Sequence, residues 1–135
     1  FANDIPLVSV SSLEILANSS NFNGIIIPTI DARRDEVYSS AFFQSNMISK
    51  EKPEIIVSES FIEYLKNNNI IIVGNGQFKC EKIIKKHKKI FFDKNIINPS
   101  SKYMPELSNR KFINNEFEDL AYFEPRYLKE FKTNL

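Results

Sequence analysis

Cysteine and histidine are almost missing from this 135-residue chain, which holds one of each, Cys80 and His87. A single cysteine excludes an internal disulfide and fits a reducing cytoplasm. No apolar run approaches the length needed to cross a bilayer, and no basic-then-apolar secretory leader opens the chain. Net charge is nearly absent too. With 18 basic against 17 acidic side chains, no overall field draws the chain to nucleic acid or to a membrane. What is present is enough apolar material for one core: 42% of residues are hydrophobic and 26% charged. That suits one α/β domain over residues 1–135 and not two. Lys, Ile and Asn are abundant, as an AT-rich genome makes them, so a single lysine carries little functional weight. The chain opens on Phe1 rather than Met, which reads as a fragment or a domain.

Helices and strands follow one another along the chain. "SSLE" at 11–14 is a capping box, in which Ser11 caps and Glu14 reaches back; Val10 and Ile15 sit at staple positions. It predicts a helix from about Ser12 to Asn18. "IIIPTI" at 25–30 predicts a strand, with Pro28 calling for an edge position or a distortion. "EVYSSAFFQ" predicts a second strand with Val37, Ser39, Ala41 and Phe43 on one face and Tyr38 and Phe42 on the other. "PEIIVS" reads as a short third strand. Ser60 and Glu63 form another capping box and predict a helix through Phe61, Ile62 and Leu65. "IIIV" at 70–73 predicts a buried strand, followed by the turn "GNG". Cys80, Ile83, Ile84 and His87 fall on one face of a helix, with Lys79, Lys82, Lys86 and Lys89 opposite. "IFF" predicts a last strand, and "NPSS" opens a C-terminal helix with Pro105 in its first turn or at a kink. The alternation implies a mixed sheet flanked by helices.

Catalytic sets are thin. On a helix, Cys80 and His87 would lie roughly 10 Å apart along the axis, too far to share one zinc with bonds of about 2 Å or to act as a nucleophile and its base. His87 reads as a partly buried core histidine. Glu116, Glu118 and Asp119 are too few for a calcium loop. "GNG" at 74–76 stands where phosphate loops stand, but Lys79 occupies the third-glycine position and no Walker lysine follows. The tight turn explains Gly74 and Gly76 better than a nucleotide does. The segment "KCEKIIKKHKK" is the best nucleic-acid candidate, although lysines opposite an apolar stripe with few aromatics are also what a solvated helix face looks like.

The densest charge lies in "DARRD" at 31–35, between two strands. Asp31 can bond backbone amides two residues on and so fix a hairpin, while Arg33 and Arg34 carry forked donors suited to carboxylate or phosphate. No base or nucleophile accompanies them. As a pattern the stretch says more. "VSSL" at Val10–Leu13, "DAR" at Asp31–Arg33 with "EVY" at Glu36–Tyr38, Gly74 to Gly76, and "PRYL" at Pro125–Leu128 occur in an order that resembles the C-terminal half of the TsaB (YeaZ) family. The match covers nearly the whole chain.

The resemblance implies the second lobe of a sugar-kinase/actin-like (ribonuclease H-like) fold. It further implies a non-catalytic scaffold or dimerisation subunit that partners the transferase TsaD and the ATPase TsaE in making threonylcarbamoyladenosine in tRNA. Contact with tRNA would be indirect, through the complex, and a homodimer is open. No cofactor, metal or catalytic residue is implied. Asp31, Arg33, Glu36, Tyr38, Gly74, Gly76, Pro125 and Tyr127 are expected to be structural. The family's N-terminal lobe, with its Asp-Thr-Ser strand and its Gly-Pro-Gly-Ser-Phe-Thr-Gly stretch, is absent from this chain and in the family supplies much of the contact to TsaD. Two alternatives stand beside this reading: a nucleotide-using or peptidase-like enzyme of the same superfold, and a direct RNA-binding module working through the lysine-rich helix.

Overall fold

The computed structural model describes residues 5–128. The start of the leading "FANDIPLV" segment and the end of "FEPRYLKEF" lie outside the described residues. Five strands form one mixed sheet in the order β3-β2-β1-β4-β5. Strands β1 (Ile25–Asp31), β2 (Glu36–Phe43) and β3 (Asn46–Ile55) make an antiparallel meander, while β4 (Ile70–Val73) runs parallel to β1 and β5 (Ile90–Phe92) parallel to β4. Helices α1 (Ser12–Asn18), α2 (Gln77–Ile83) and α3 (Met104–Ile113) flank it. Strand pleating divides the apolar side chains between the two faces. Ile25, Ile27, Ile70 and Ile72 pack with Val37, Ala41, Phe61, Cys80 and Ile84 on one face. Ile26, Ile71, Val73 and Phe42 pack with Leu13, Leu16 and Ala17 of α1 on the other. The facing of β2 is as the sequence predicts.

Several elements differ from expectation, each for a local reason. Pro28 lies not at an edge but in β1, the central strand. The sheet accommodates it by distortion: the β1–β2 ladder skips Ile27 and Pro28 between the pairs Ile26–Phe42 and Thr29–Ser39, because proline has no N–H to give. Strand β3 starts at Asn46, seven residues before "PEIIVS". A two-residue turn, with Gln44 at φ 48° and Ser45 at φ 64°, closes the hairpin without the usual Asn-Gly pair. The helix expected after Ser60 is only a 3-10 turn over Ile62–Leu65. Phe61 stands in the left-handed region at φ 68°, and the Ser60 hydroxyl accepts from Val57 N at 2.9 Å instead of capping a helix. At α1, Ser11 caps as expected, with Leu13 N donating to Oγ at 3.2 Å, but Glu14 turns away to Arg110 (3.0 Å) and Lys111 (3.3 Å).

Those two ion pairs hold α3 beside α1. The apolar hold on α3 is narrower, since Leu107 is its one buried side chain and shares a wall with Ala17, Ile26 and Phe42. Pro105 stands in the first turn, where its missing N–H is harmless. Leu107→Ala is expected to cost about 3 kcal/mol, measured by urea unfolding, and to release α3 from the sheet, seen as lost protection of its amides to hydrogen exchange.

Candidate functional site

The turn after β1 and the glycine loop after β4 meet at one end of the sheet. They meet because β1 and β4 are paired in parallel up to Pro28–Val73, so both chains leave the sheet side by side. The glycine loop then lies flat on β1. Gly74 has φ +91°, and a Cβ there would collide with the Thr29 carbonyl oxygen. A Cβ on Gly76 would come within 2.9 Å of Thr29 Cβ and 3.1 Å of Val37 Cγ1. Glycine is required at 74 for close backbone approach, and at 76 it leaves room for the Thr29 and Val37 side chains.

Three of the loop's backbone donors are engaged within the protein. Gly74 N donates to Ile96 O (2.8 Å), Gly76 N to Thr29 O (3.3 Å) and Gln77 N to Gly74 O (3.2 Å). The Thr29 hydroxyl donates to Val73 O at 2.8 Å, and Asn75 Oδ1 accepts from Asp31 N at 2.7 Å. The fully buried Gln77 aims Nε2 at the carbonyls of Gly74 (2.9 Å), Asp93 (2.9 Å) and Ile96 (3.0 Å). It shares two hydrogens among three acceptors. A phosphate cradle needs free amides pointing outward; here the amides of Gly74, Gly76 and Gln77 point into protein.

Lys79, read from the sequence as part of a solvated face, is instead the clasp of the site. Its Nζ donates to Ala32 O at 2.6 Å and Glu36 O at 2.8 Å and pairs with the Asp31 carboxylate. The side chain is only 18% exposed. Asp31 therefore fixes the turn through α2 and not through amides two residues on. No local signal reveals this, because the contacts span more than forty residues of sequence. Arg33 and Arg34 stand exposed at the tip, Arg34 at φ 59°. Neither has a carboxylate partner among the described residues. Glu36 contributes its carbonyl to the clasp, and Tyr38 packs half-buried against the α1 face.

The remaining candidates lie apart from this site. Helix α2 ends at Ile83, and Ile84 is extended at ψ 134°, so His87 is an exposed loop residue rather than a core histidine. The Lys89 N–H donates to its Nδ1 at 3.1 Å. Cys80 is fully buried; desolvation first, and the nearby Glu54 carboxylate second, push its thiol up from 9.0 to about 12. It carries no thiolate at neutral pH and is inert. Among the described residues no three His, Cys, Asp or Glu side chains gather to hold a metal. In the acidic cluster, Glu118 bonds Ser9 and its N–H donates to Leu7 O at 2.9 Å, while Asp119 Oδ1 accepts from Ala121 N at 2.9 Å; these contacts pin the tail. Pro125 and Tyr127 are exposed, and Arg126 between them pairs with Glu51 of β3.

If the clasp holds the turn, removing it outweighs removing the aspartate. Lys79→Met should cost about 2 kcal/mol through three lost charge-assisted contacts, and Asp31→Ala about 1 kcal/mol, as for a lost cap or turn bond. Equilibrium unfolding in urea measures both. An Asp31→Ala cost equal to or above that of Lys79→Met would return the turn to aspartate control.

Residues 1–134 match the family model described as TsaD: tRNA N6-adenosine threonylcarbamoyltransferase. The chain is 29% identical over 133 residues to the tRNA threonylcarbamoyladenosine biosynthesis protein TsaB of Bacillus subtilis (strain 168), with 93% of this chain and 57% of that protein covered. It superposes on a crystal structure of an uncharacterized protein with similarity to peptidase YeaZ from Pseudomonas aeruginosa, with a TM-score of 0.74, 21% identity, and 92% of this chain and 59% of that one covered. A YeaZ structure from Pseudomonas aeruginosa gives 0.70, 22%, 91% and 59%. The two structures bear on the fold, and they bear out the expected mixed sheet with flanking helices. The chain spans somewhat under two thirds of the length of these relatives. No helix among the described residues is long and apolar enough to cross a membrane. With nearly all its residues matched to that model, the chain belongs to the TsaD-type threonylcarbamoyltransferase family, on its TsaB (YeaZ) side.

Proposed function

We propose that residues 1–135 form the second lobe of a TsaB-like subunit that serves tRNA threonylcarbamoyladenosine formation as a non-catalytic scaffold in the cytoplasm. One observation supports the non-catalytic part: Asp31, Glu36, Gly74 and Gly76 are engaged in holding the turn and the glycine loop together. Asp31 and Glu36 are tied to Lys79, Gly74 and Gly76 lie against Thr29, and the amides of Gly74, Gly76 and Gln77 donate to protein carbonyls. With Asp31, Glu36 and these amides so engaged, the reading favours a scaffold over the enzyme alternative. The partners in this reading are a TsaD-type transferase and a TsaE-type ATPase, with the other lobe of the subunit supplying most of the contact to the transferase.

A homodimer, if formed, uses a face rather than a sheet edge. Strand β3 is the long exposed edge, but its register to β2 shifts twice between Ser39 and Phe42, and Lys50, Lys52 and Pro53 stand exposed along it. Bulges, lysines and proline all oppose edge-to-edge pairing. Exposed apolar side chains gather instead at the end of α3 and after it, in Phe112 (53% exposed), Ile113 (67%), Phe117 and Leu120.

Two measurements test the reading. Full-length subunit should restore threonylcarbamoyladenosine to the tRNA of a TsaB-depleted strain, read by nucleoside mass spectrometry, and the purified chain should show no ATPase or peptidase turnover. Titrated calorimetrically into the TsaD-type subunit, residues 1–135 alone should bind at least tenfold more weakly than the full-length subunit, since most interface affinity resides in a few central anchors. Equal affinity would move the partner surface into this lobe.

A further inference from the structure

The segment between α2 and β5 is where the structure departs furthest from a solvated amphipathic helix. Residues 82–89 hold five lysines, one histidine and no acid in a chain whose net charge is only +1, so the rest of the chain is net negative. Lys82, Lys85, Lys86, His87 and Lys88 are exposed. None of these four lysines has a carboxylate partner among the described residues, and the nearest acid in sequence, Glu81, is paired with Lys94 at 3.0 Å.

The segment's backbone is nevertheless fixed. Ile84 N donates to Cys80 O (2.8 Å), Lys85 N to Ser58 O (3.0 Å) and Ile90 N to His87 O (3.0 Å). The Lys89 ammonium reaches back to Leu65 O at 3.1 Å, and Ile84 is sunk into the core at 7% exposure. A cationic loop held at both ends displays its charges on a preset backbone, so little ordering cost falls on a partner.

We infer that the loop Lys85–Lys88, with Lys82 beside it, is a direct contact for the phosphate backbone of transfer RNA. The inference rests on the proposed function for the identity of the anion. Several exposed lysines on one short segment suit a partner that offers several phosphates, which a single small anion does not. The expected contact is sequence-independent: lysines neutralise phosphates as point charges, and each neutralised phosphate releases condensed counterions, so affinity falls with salt. With few aromatics on this loop, base stacking has no part in it.

The test is fluorescence anisotropy of an unmodified tRNA transcript with the full-length protein between 50 and 200 mM KCl, for wild type, K85E/K86E/K88E, and a control, K50E/K102E, placed elsewhere on the surface. All the substituted side chains are exposed, and unchanged far-UV spectra and melting would confirm intact folding. The loop variant should bind at least tenfold more weakly at 100 mM, and its slope of log K against log salt should shrink by about 2–3, as for three lost phosphate contacts. The control should match wild type. Equal affinity and slope in wild type and loop variant would overturn the inference, as would an equal loss in the control. Binding to phosphatidylserine vesicles that the loop variant loses, with tRNA binding untouched, would also overturn it and assign the loop to an anionic lipid surface. The two readings fail separately. If wild type binds tRNA through the loop but full-length protein does not restore the modified nucleoside, the loop assignment holds and the scaffold reading falls.

Discussion

The close approach of the Gly74–Gly76 loop to the backbone of β1 is the constraint on which the rest of the molecule depends. Gly74 adopts φ +91° with no room for a side chain against Thr29 O. The chain after β4 therefore turns at once and lays α2 against the sheet. That placement puts Cys80 and Ile84 into the core, brings Gln77 over three loop carbonyls, and carries Lys79 to the turn between β1 and β2. A longer or looser turn would separate the ammonium from its acceptors and leave the Gln77 amide buried without partners, which is costly in a low-dielectric interior. Glycine in this loop is thus a packing requirement, and the amides of Gly74, Gly76 and Gln77 are spent on protein carbonyls.

The same constraint explains how the acidic side of a charge-dense turn is held. Asp31 faces Lys79, and Glu36 lends its carbonyl to the same ammonium. What remains outward is the Arg33–Arg34 tip, with Arg34 held at positive φ, a conformation that costs a non-glycine residue about 1–2 kcal/mol. A second cationic surface lies in the loop after α2.

Sheet membership and facing were legible in the sequence wherever a strand was short, β-branched and bounded by turn residues. Ile25–Ile30, Glu36–Phe43, Ile70–Val73 and Ile90–Phe92 all read correctly because burial on one or both faces dictates those residue types. The cap at Ser11 read correctly because capping is local. Legibility failed where long-range contacts overrode local preference. Ser60 and Glu63 spell a capping box, but Phe61 turns left-handed into the core. The lysine-rich segment keeps helical periodicity through Lys89, yet the chain must leave α2 at Ile83 to reach β5 in time. Strand β3 was misplaced because an exposed, bulged edge strand such as "NMISKEK" has no apolar alternation to announce it. Lys79 was misread for the same reason in reverse: its partners are remote, and composition alone made it one lysine among many.

The central claim is that the amides of Gly74, Gly76 and Gln77 are engaged inside the protein, so that these residues hold the fold together, as the proposed scaffold role requires. Amide proton–nitrogen spectra of the isotopically labelled protein, titrated with millimolar Mg-ATP, test it directly. The account predicts that the amide signals of Gly74, Gly76 and Gln77 do not move as nucleotide is added. Saturable shifts at these three amides, abolished by Gly76→Ala in a protein that still folds, would contradict it and restore a nucleotide site to this loop.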